Sequence, residues 1–89
     1  MLDSKRPEYH VWRQMRQRCN NPNNKDFKHY GEKGVVVWWT WEHWFHVFIY
    51  DMGPRPSHAH WIDRINPEGN YEPRNCRWAL PSEGLKRNR

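Results

Sequence analysis

Apolar residues return every third or fourth position early in the chain, at Val11, Trp12, Met15 and Cys19, and this spacing predicts an amphipathic helix over residues 8–19. Pro7 suits the start of that helix, because the N–H it lacks would have no helical partner there. The run Asn20-Asn21-Pro22-Asn23-Asn24 ends it, since Asn favours turns and Pro denies the helix a donor. A loop carrying Phe27, His29 and Tyr30 follows. Gly31 and Gly34 then bracket a turn into Val35-Val36-Val37-Trp38-Trp39, whose β-branched and aromatic content predicts a strand. Thr40 is the expected N-cap of a second helix from Trp41 to Met52, with Trp41, Phe45, Phe48 and Met52 as its buried stripe and Gly53 at its end. Pro54-Arg55-Pro56-Ser57 makes a stiff connection. From Trp61 to Leu80 two short apolar strands flank a turn rich in Gly and Asn, and the tail from Pro81 reads as a short helix weakened by Gly84. The order helix, strand, helix, then strand, loop, strand, helix is an α+β arrangement.

A chain of 89 residues holds one small domain, with 8–52 as its helix-strand-helix part and 58–89 as its strand-loop-strand-helix part. Only 36% of the residues are apolar, yet 7 Trp, 4 Tyr and 3 Phe supply a core made of a few large rings. The 15 Lys and Arg residues outweigh 10 acidic ones, for a formal charge of +5, which favours a polyanionic partner, most commonly nucleic acid. Arg13, Arg16 and Arg18 lie on the first helix, and Arg74, Arg77, Lys86, Arg87 and Arg89 follow the Gly- and Asn-rich turn. Of these, Arg13, Arg16, Arg74, Arg77, Lys86 and Arg87 are the expected phosphate contacts, which supply affinity and orientation without reading sequence. Cys19 and Cys76 are too few for a disulfide framework and lack the paired spacing of a zinc site, so reduced thiols are expected. The most apolar stretch, Val35 to Met52, is interrupted by Thr40, Glu42, His43, His46 and Asp51, and no signal peptide or lipidation motif is evident. The expectation is a soluble cytoplasmic protein with no membrane partner.

The strand ends and turn of the 61–80 segment carry charged and amide side chains that a packed core would not need, notably Asp63-Arg64 and Asn75-Cys76-Arg77-Trp78. Together with Val11-Trp12-Arg13-Gln14-Met15, Arg18-Cys19-Asn20-Asn21-Pro22, Tyr30-Gly31 and Asp51-Met52-Gly53, this segment resembles a family of short bacteriophage and prophage HNH-like proteins. These belong to the His-Me finger, or ββα-metal, endonucleases, and the resemblance covers nearly the whole chain. It implies a ββα-metal hairpin closed by the C-terminal helix, double-stranded DNA as partner, a bacterial host cell, and Mg or Mn as cofactor wherever cleavage occurs. In HNH chemistry one divalent ion bridges the scissile phosphate while a His takes the proton from the attacking water. Asp63 falls where the family places its first metal ligand, and Asn75 where the middle Asn pins the loop. Arg64 stands at the catalytic His position, as is common in this subgroup. Its guanidinium clamps phosphate but stays protonated, so it cannot deprotonate water. On the last helix the alignment offers Gly84 for the closing metal ligand, with Asn88 a turn later as the substitute.

His58 and His60 alternate just before the first hairpin strand, and a strand reaching that far would set both on one face, where either could replace the missing base, with His60 the site candidate. His43 and His46 have helical i, i+3 spacing, but no carboxylate or thiolate at a compatible position completes a zinc site. Trp38, Trp39, Trp44, Val47 and Ile49 add apolar bulk beyond the Trp41 stripe, which predicts an exposed patch at Trp38, Trp39 and Trp44 for self-association or another protein. Two functions therefore stand side by side. One is an HNH-like DNA-binding protein, either a nicking or homing endonuclease or a relative that keeps the DNA surface without efficient cleavage. The other is a non-enzymatic interaction protein, such as a phage inhibitor of a host defence complex, that presents the Trp-rich patch.

Overall fold

The computed structural model describes residues 6–83. Helix α1, Pro7–Asn20, buries the face that its spacing predicts: Val11 and Met15 are fully enclosed, and Trp12 and Cys19 nearly so. Glu8 is also buried, with its Oε2 accepting the Arg55 N–H at 2.7 Å, so the start of α1 is tied to the Pro-rich connection. After α1 the chain makes two short 3-10 turns, Phe27–His29 and Gly31–Lys33. Gly31 is required by close approach, because a Cβ there would run into the Cys19 carbonyl and the Phe27 ring. This seats Tyr30 against the end of α1.

The expected strand at 35–39 is corrected. Val35 and Val37 are buried while Val36 and Trp38 are exposed, so the period of two is real. Among the described residues no strand lies alongside to extend it, and pairing stops at one parallel bridge, Val37 to Tyr71. There Tyr71 N–H donates to the Val36 carbonyl at 3.0 Å and Trp38 N–H to the Tyr71 carbonyl at 2.7 Å.

The single helix expected over 41–52 is also corrected, to α2, Trp39–His43, and α3, Phe45–Met52, with Trp44 in extended backbone between them. Helix α2 begins two residues early, with Trp38 rather than Thr40 at its N-cap, and the Thr40 hydroxyl is buried without a hydrogen-bond partner. The physical reason for the break lies in the partner helix. The Trp12 indole N–H donates to the Trp41 carbonyl at 2.6 Å, a carbonyl that a continuous helix would turn toward Phe45. Trp41 and Phe48 then meet edge to face at 5.0 Å, both fully buried, and the Trp41 indole N–H reaches Asp51 at 2.8 Å. The predicted stripe Trp41, Phe45 and Phe48 is buried as expected, Met52 packs against it, and Gly53 caps α3.

Strands β1, Trp61–Arg64, and β2, Cys76–Ala79, form a two-stranded antiparallel sheet with Ile62 opposite Trp78, Asp63 opposite Arg77 and Arg64 opposite Cys76. Residues 81–83 are helical, and the remainder of the expected last helix lies outside the described residues. Helices and a small antiparallel sheet share one aromatic core, so the α+β class holds. No helix among the described residues is long and apolar enough to cross a membrane.

Candidate functional site

Side chains alternate along a strand, and cross-strand partners share a face. The hairpin register therefore puts Asp63 with Arg77 on one face and Arg64 with Cys76 on the other. On the first face the Arg77 Nε lies 3.3 Å from the Asp63 carboxylate. A positive charge thus already stands against the carboxylate that the HNH resemblance assigns to a metal ion. Among the described residues no group of three or more His, Cys, Asp or Glu side chains is arranged to hold a metal.

The loop between the strands is held by Asn75. Its Nδ2 donates to the carbonyls of Asn66 at 3.1 Å and Asn70 at 2.9 Å, while its Oδ1 accepts the Asn66 N–H at 2.8 Å. A Cβ on Gly69 would stand 2.7 Å from that Nδ2, so the staple needs glycine there. Asn70 extends the frame by accepting the Val36 N–H at 3.0 Å, which ties the loop to the 35–37 segment.

On the opposite face Arg64 turns back over this frame. It donates to the Gly69 carbonyl at 2.8 Å, and its guanidinium carbon lies 5.0 Å from the Tyr30 ring and 5.3 Å from the Tyr71 ring. Arg18 comes to the same tyrosine pair from α1, 5.0 Å over Tyr30, with a long 3.5 Å contact to the Tyr71 hydroxyl. The Arg18 Nε is buried with no acceptor. Desolvation raises the pKa of Cys19 and Tyr71 beneath the two arginines and outweighs the guanidinium charges, which pull it down. Burial pushes the Cys19 thiol up to about 11 and the Tyr71 hydroxyl higher still, and it raises Cys76 to about 12. Both thiols are free, buried and protonated at neutral pH, as expected of inert core cysteines.

Beside Arg64 opens a cleft of about 210 Å³ lined by His29, Lys33, Val35, Arg64, Pro67 and Glu68. Asp63 borders a different hollow, of about 270 Å³, with Trp61, Ala79, Leu80 and Pro81. The adjacent pair Asp63-Arg64 thus serves two separate surfaces.

The other expected site residues scatter. His60 precedes β1 rather than extending it, so the shared face expected for His58 and His60 is corrected; the His60 ring contacts the Ser57 hydroxyl at 2.8 Å. Arg55 clamps that segment through the carbonyls of His60 at 2.7 Å and His58 at 2.8 Å. Arg13 and Arg74 are exposed. Arg16 is occupied by a 3.3 Å ion pair with Glu42 and by the face of Trp12. Arg77 is held by Asp63. Lys86, Arg87 and Asn88 lie outside the described residues. Trp38, Trp39 and Trp44 are exposed at 44%, 61% and 43%, whereas Val47 and Ile49 pack partly against the core. His43 and His46 fall on separate helices, with His43 against the Trp39 ring at 4.7 Å.

Sequence reading missed the convergence of Arg18, Tyr30, Arg64 and Tyr71, and with it the cleft bordered by His29 and Lys33. Tyr30-Gly31 was the available signal, but nothing local ties it to the hairpin. No protein-family model matches the chain, and no similar curated protein or solved structure was found.

Proposed function

We propose that this chain is a double-stranded-DNA-binding protein on an HNH-like ββα scaffold, one that grips the phosphate backbone without an efficient metal-dependent cleavage centre. The observation that carries this reading is the 3.3 Å ion pair between Asp63 and Arg77. A guanidinium neutralises the carboxylate that a metal would need, while Arg64, a phosphate clamp that cannot act as a base, follows it in the chain. Arg74 and Arg13 offer exposed cations for phosphate contact, and Arg74 adjoins Asn75, which staples the hairpin loop. The protein acts in the cytoplasm of a bacterial host. Binding is electrostatic, so affinity for a duplex falls steeply with salt, and replacing Arg13 and Arg74 by Ala flattens the dependence by roughly 0.9 in log-log slope per lost phosphate contact. Supercoiled-plasmid nicking with Mg or Mn tests the other half. Wild type and Asp63→Ala should both be inactive, and nicking that Asp63→Ala abolishes would establish an enzyme instead.

A second reading rests on a separate observation. Trp39 and Trp44 meet edge to face at 5.0 Å on the surface, with Trp38 also exposed and Tyr50 87% exposed. Such rings suit a protein partner or a second copy of the chain. Loss of association by Trp39→Glu in size-exclusion runs, with DNA affinity unchanged, would favour it.

A further inference from the structure

The DNA reading leaves open which part of the molecule seats a phosphate. We infer that the cleft between the turn carrying His29 and Lys33 and the loop carrying Arg64 and Glu68 holds one backbone phosphodiester, an inference that rests on that DNA reading. Three observations carry it. The first is charge: Lys33 and Arg64 make no ion pair among the described residues, and Glu68 is the single acidic residue in the lining. The acid next to Arg64 in sequence, Asp63, faces the other side of the hairpin and is matched by Arg77. The second is the uncompensated pair of guanidiniums. Arg18, just outside the cleft lining, and Arg64 each stand 5.0 Å from the Tyr30 ring, neither is in an ion pair among the described residues, and the Arg18 Nε is buried and unpartnered. Like charges brought together in a partly dehydrated place favour an anion nearby.

The third observation is preorganisation. One terminal nitrogen of Arg64 is fixed on the Gly69 carbonyl at 2.8 Å and the plane is braced by the tyrosines, which leaves the remaining N–H groups of a rigid fork for a ligand. The cleft, about 210 Å³, equals roughly seven waters at about 30 Å³ each, enough for a tetrahedral oxyanion with part of its hydration. Arg64 in this arrangement is a phosphate receptor aimed away from Asp63. Lys33, on the exposed rim, adds charge from the opposite wall, beside the His29 ring.

The experiment is duplex binding by fluorescence anisotropy across a salt series, with thermal melts of every variant. Lys33→Ala lies on an exposed turn and should melt like wild type, bind the duplex several-fold more weakly, and lower the log-log salt slope by about 0.9. His29→Ala should weaken binding less than Lys33→Ala does. Glu68→Gln is the decisive variant: it removes the one negative charge in the lining and should tighten binding several-fold with no loss of melting temperature. Titration with inorganic phosphate, followed by NMR, should move the Gly69 and Lys33 signals before those of Arg13 and Arg74. Wild-type binding that neither Lys33→Ala nor Glu68→Gln alters would overturn the cleft while leaving the DNA reading in place. A wild-type protein that binds no duplex would overturn that reading, and the phosphodiester assignment with it. A Glu68→Gln variant that binds no tighter and melts lower would show that Glu68 neutralises Arg64 and Lys33 internally, which also overturns the proposal.

Discussion

Asn75 shows how much one side chain organises here. Its amide serves two carbonyls and one N–H across the hairpin loop, a set of partners that only a group with both donors and an acceptor can satisfy. Asn75→Ala is expected to cost about 0.5–1.5 kcal/mol for the part-buried bond to Asn70 and less for the two exposed bonds to Asn66, whose backbone groups water can satisfy. Asn75→Asp should be no better, since a carboxylate cannot donate to the carbonyls of Asn66 and Asn70. Urea melts of the two variants check the point, and an Asp variant as stable as wild type would remove the donor role. The Asp63–Arg77 pair behaves differently. The Arg77 side chain is 41% exposed, so Arg77→Ala should change stability by less than about 1 kcal/mol. That residue pair was legible as a strand end in the sequence. Its closure into an ion pair was not, because Asp63 meets Arg77 only once β2 folds back in register.

The break at Trp44 decides which aromatic residues become core and which become surface. Phe48 is fully buried on α3 against Trp41 and Trp78, so Phe48→Ala should cost about 3–5 kcal/mol and leave the protein largely unfolded at room temperature. Trp44 sits at the N-cap of α3 with its ring outside, and Trp44→Glu should stay folded, with at most about 1 kcal/mol lost. Far-UV circular dichroism of the pair separates core from surface, and an unfolded Trp44→Glu variant would contradict the exposed ring. Thr40 adds an element-level test. Its hydroxyl is buried inside the first turn of α2 without a partner, so Thr40→Val should be neutral or stabilising by up to about 1 kcal/mol in a chemical melt. A Thr at that place reads in sequence as a cap, and helix α2 instead starts before it because the Trp38 carbonyl accepts the Glu42 N–H at 2.9 Å.

At the scale of the molecule, one core of large rings carries two buried thiols and a buried phenol whose ionisation folding opposes. Cys19 is raised from 9.0 to about 11 in the folded protein, so the unfolded chain loses its proton first as pH rises. Stability from this group is complete below pH 9 and is lost as pH climbs through about 11; Cys76, raised to about 12, adds to the loss over a similar window. The urea midpoint should therefore hold steady from pH 7 to about 8.5 and fall beyond it, and a midpoint independent of pH up to 11 would contradict the burial of both thiols. The amino-acid order by itself determined the buried face of α1, the stripe Trp41, Phe45 and Phe48, the exposed Trp38, Trp39 and Trp44, and the 61–80 hairpin. Each of these follows from local spacing, since a period of 3.6 or 2 fixes which side chains share a face wherever the chain lies. Only tertiary structure decided the rest. The 35–37 segment stops at a single bridge because pairing needs a neighbour that the local sequence does not contain, and the helix parts at Trp44 where the Trp12 indole takes a carbonyl. Arg18, Lys33 and Arg64 gather beside Tyr30 and Tyr71 for the same reason: their proximity is a property of how α1, the 3-10 turns and the hairpin pack, and no spacing along one element encodes a contact among three.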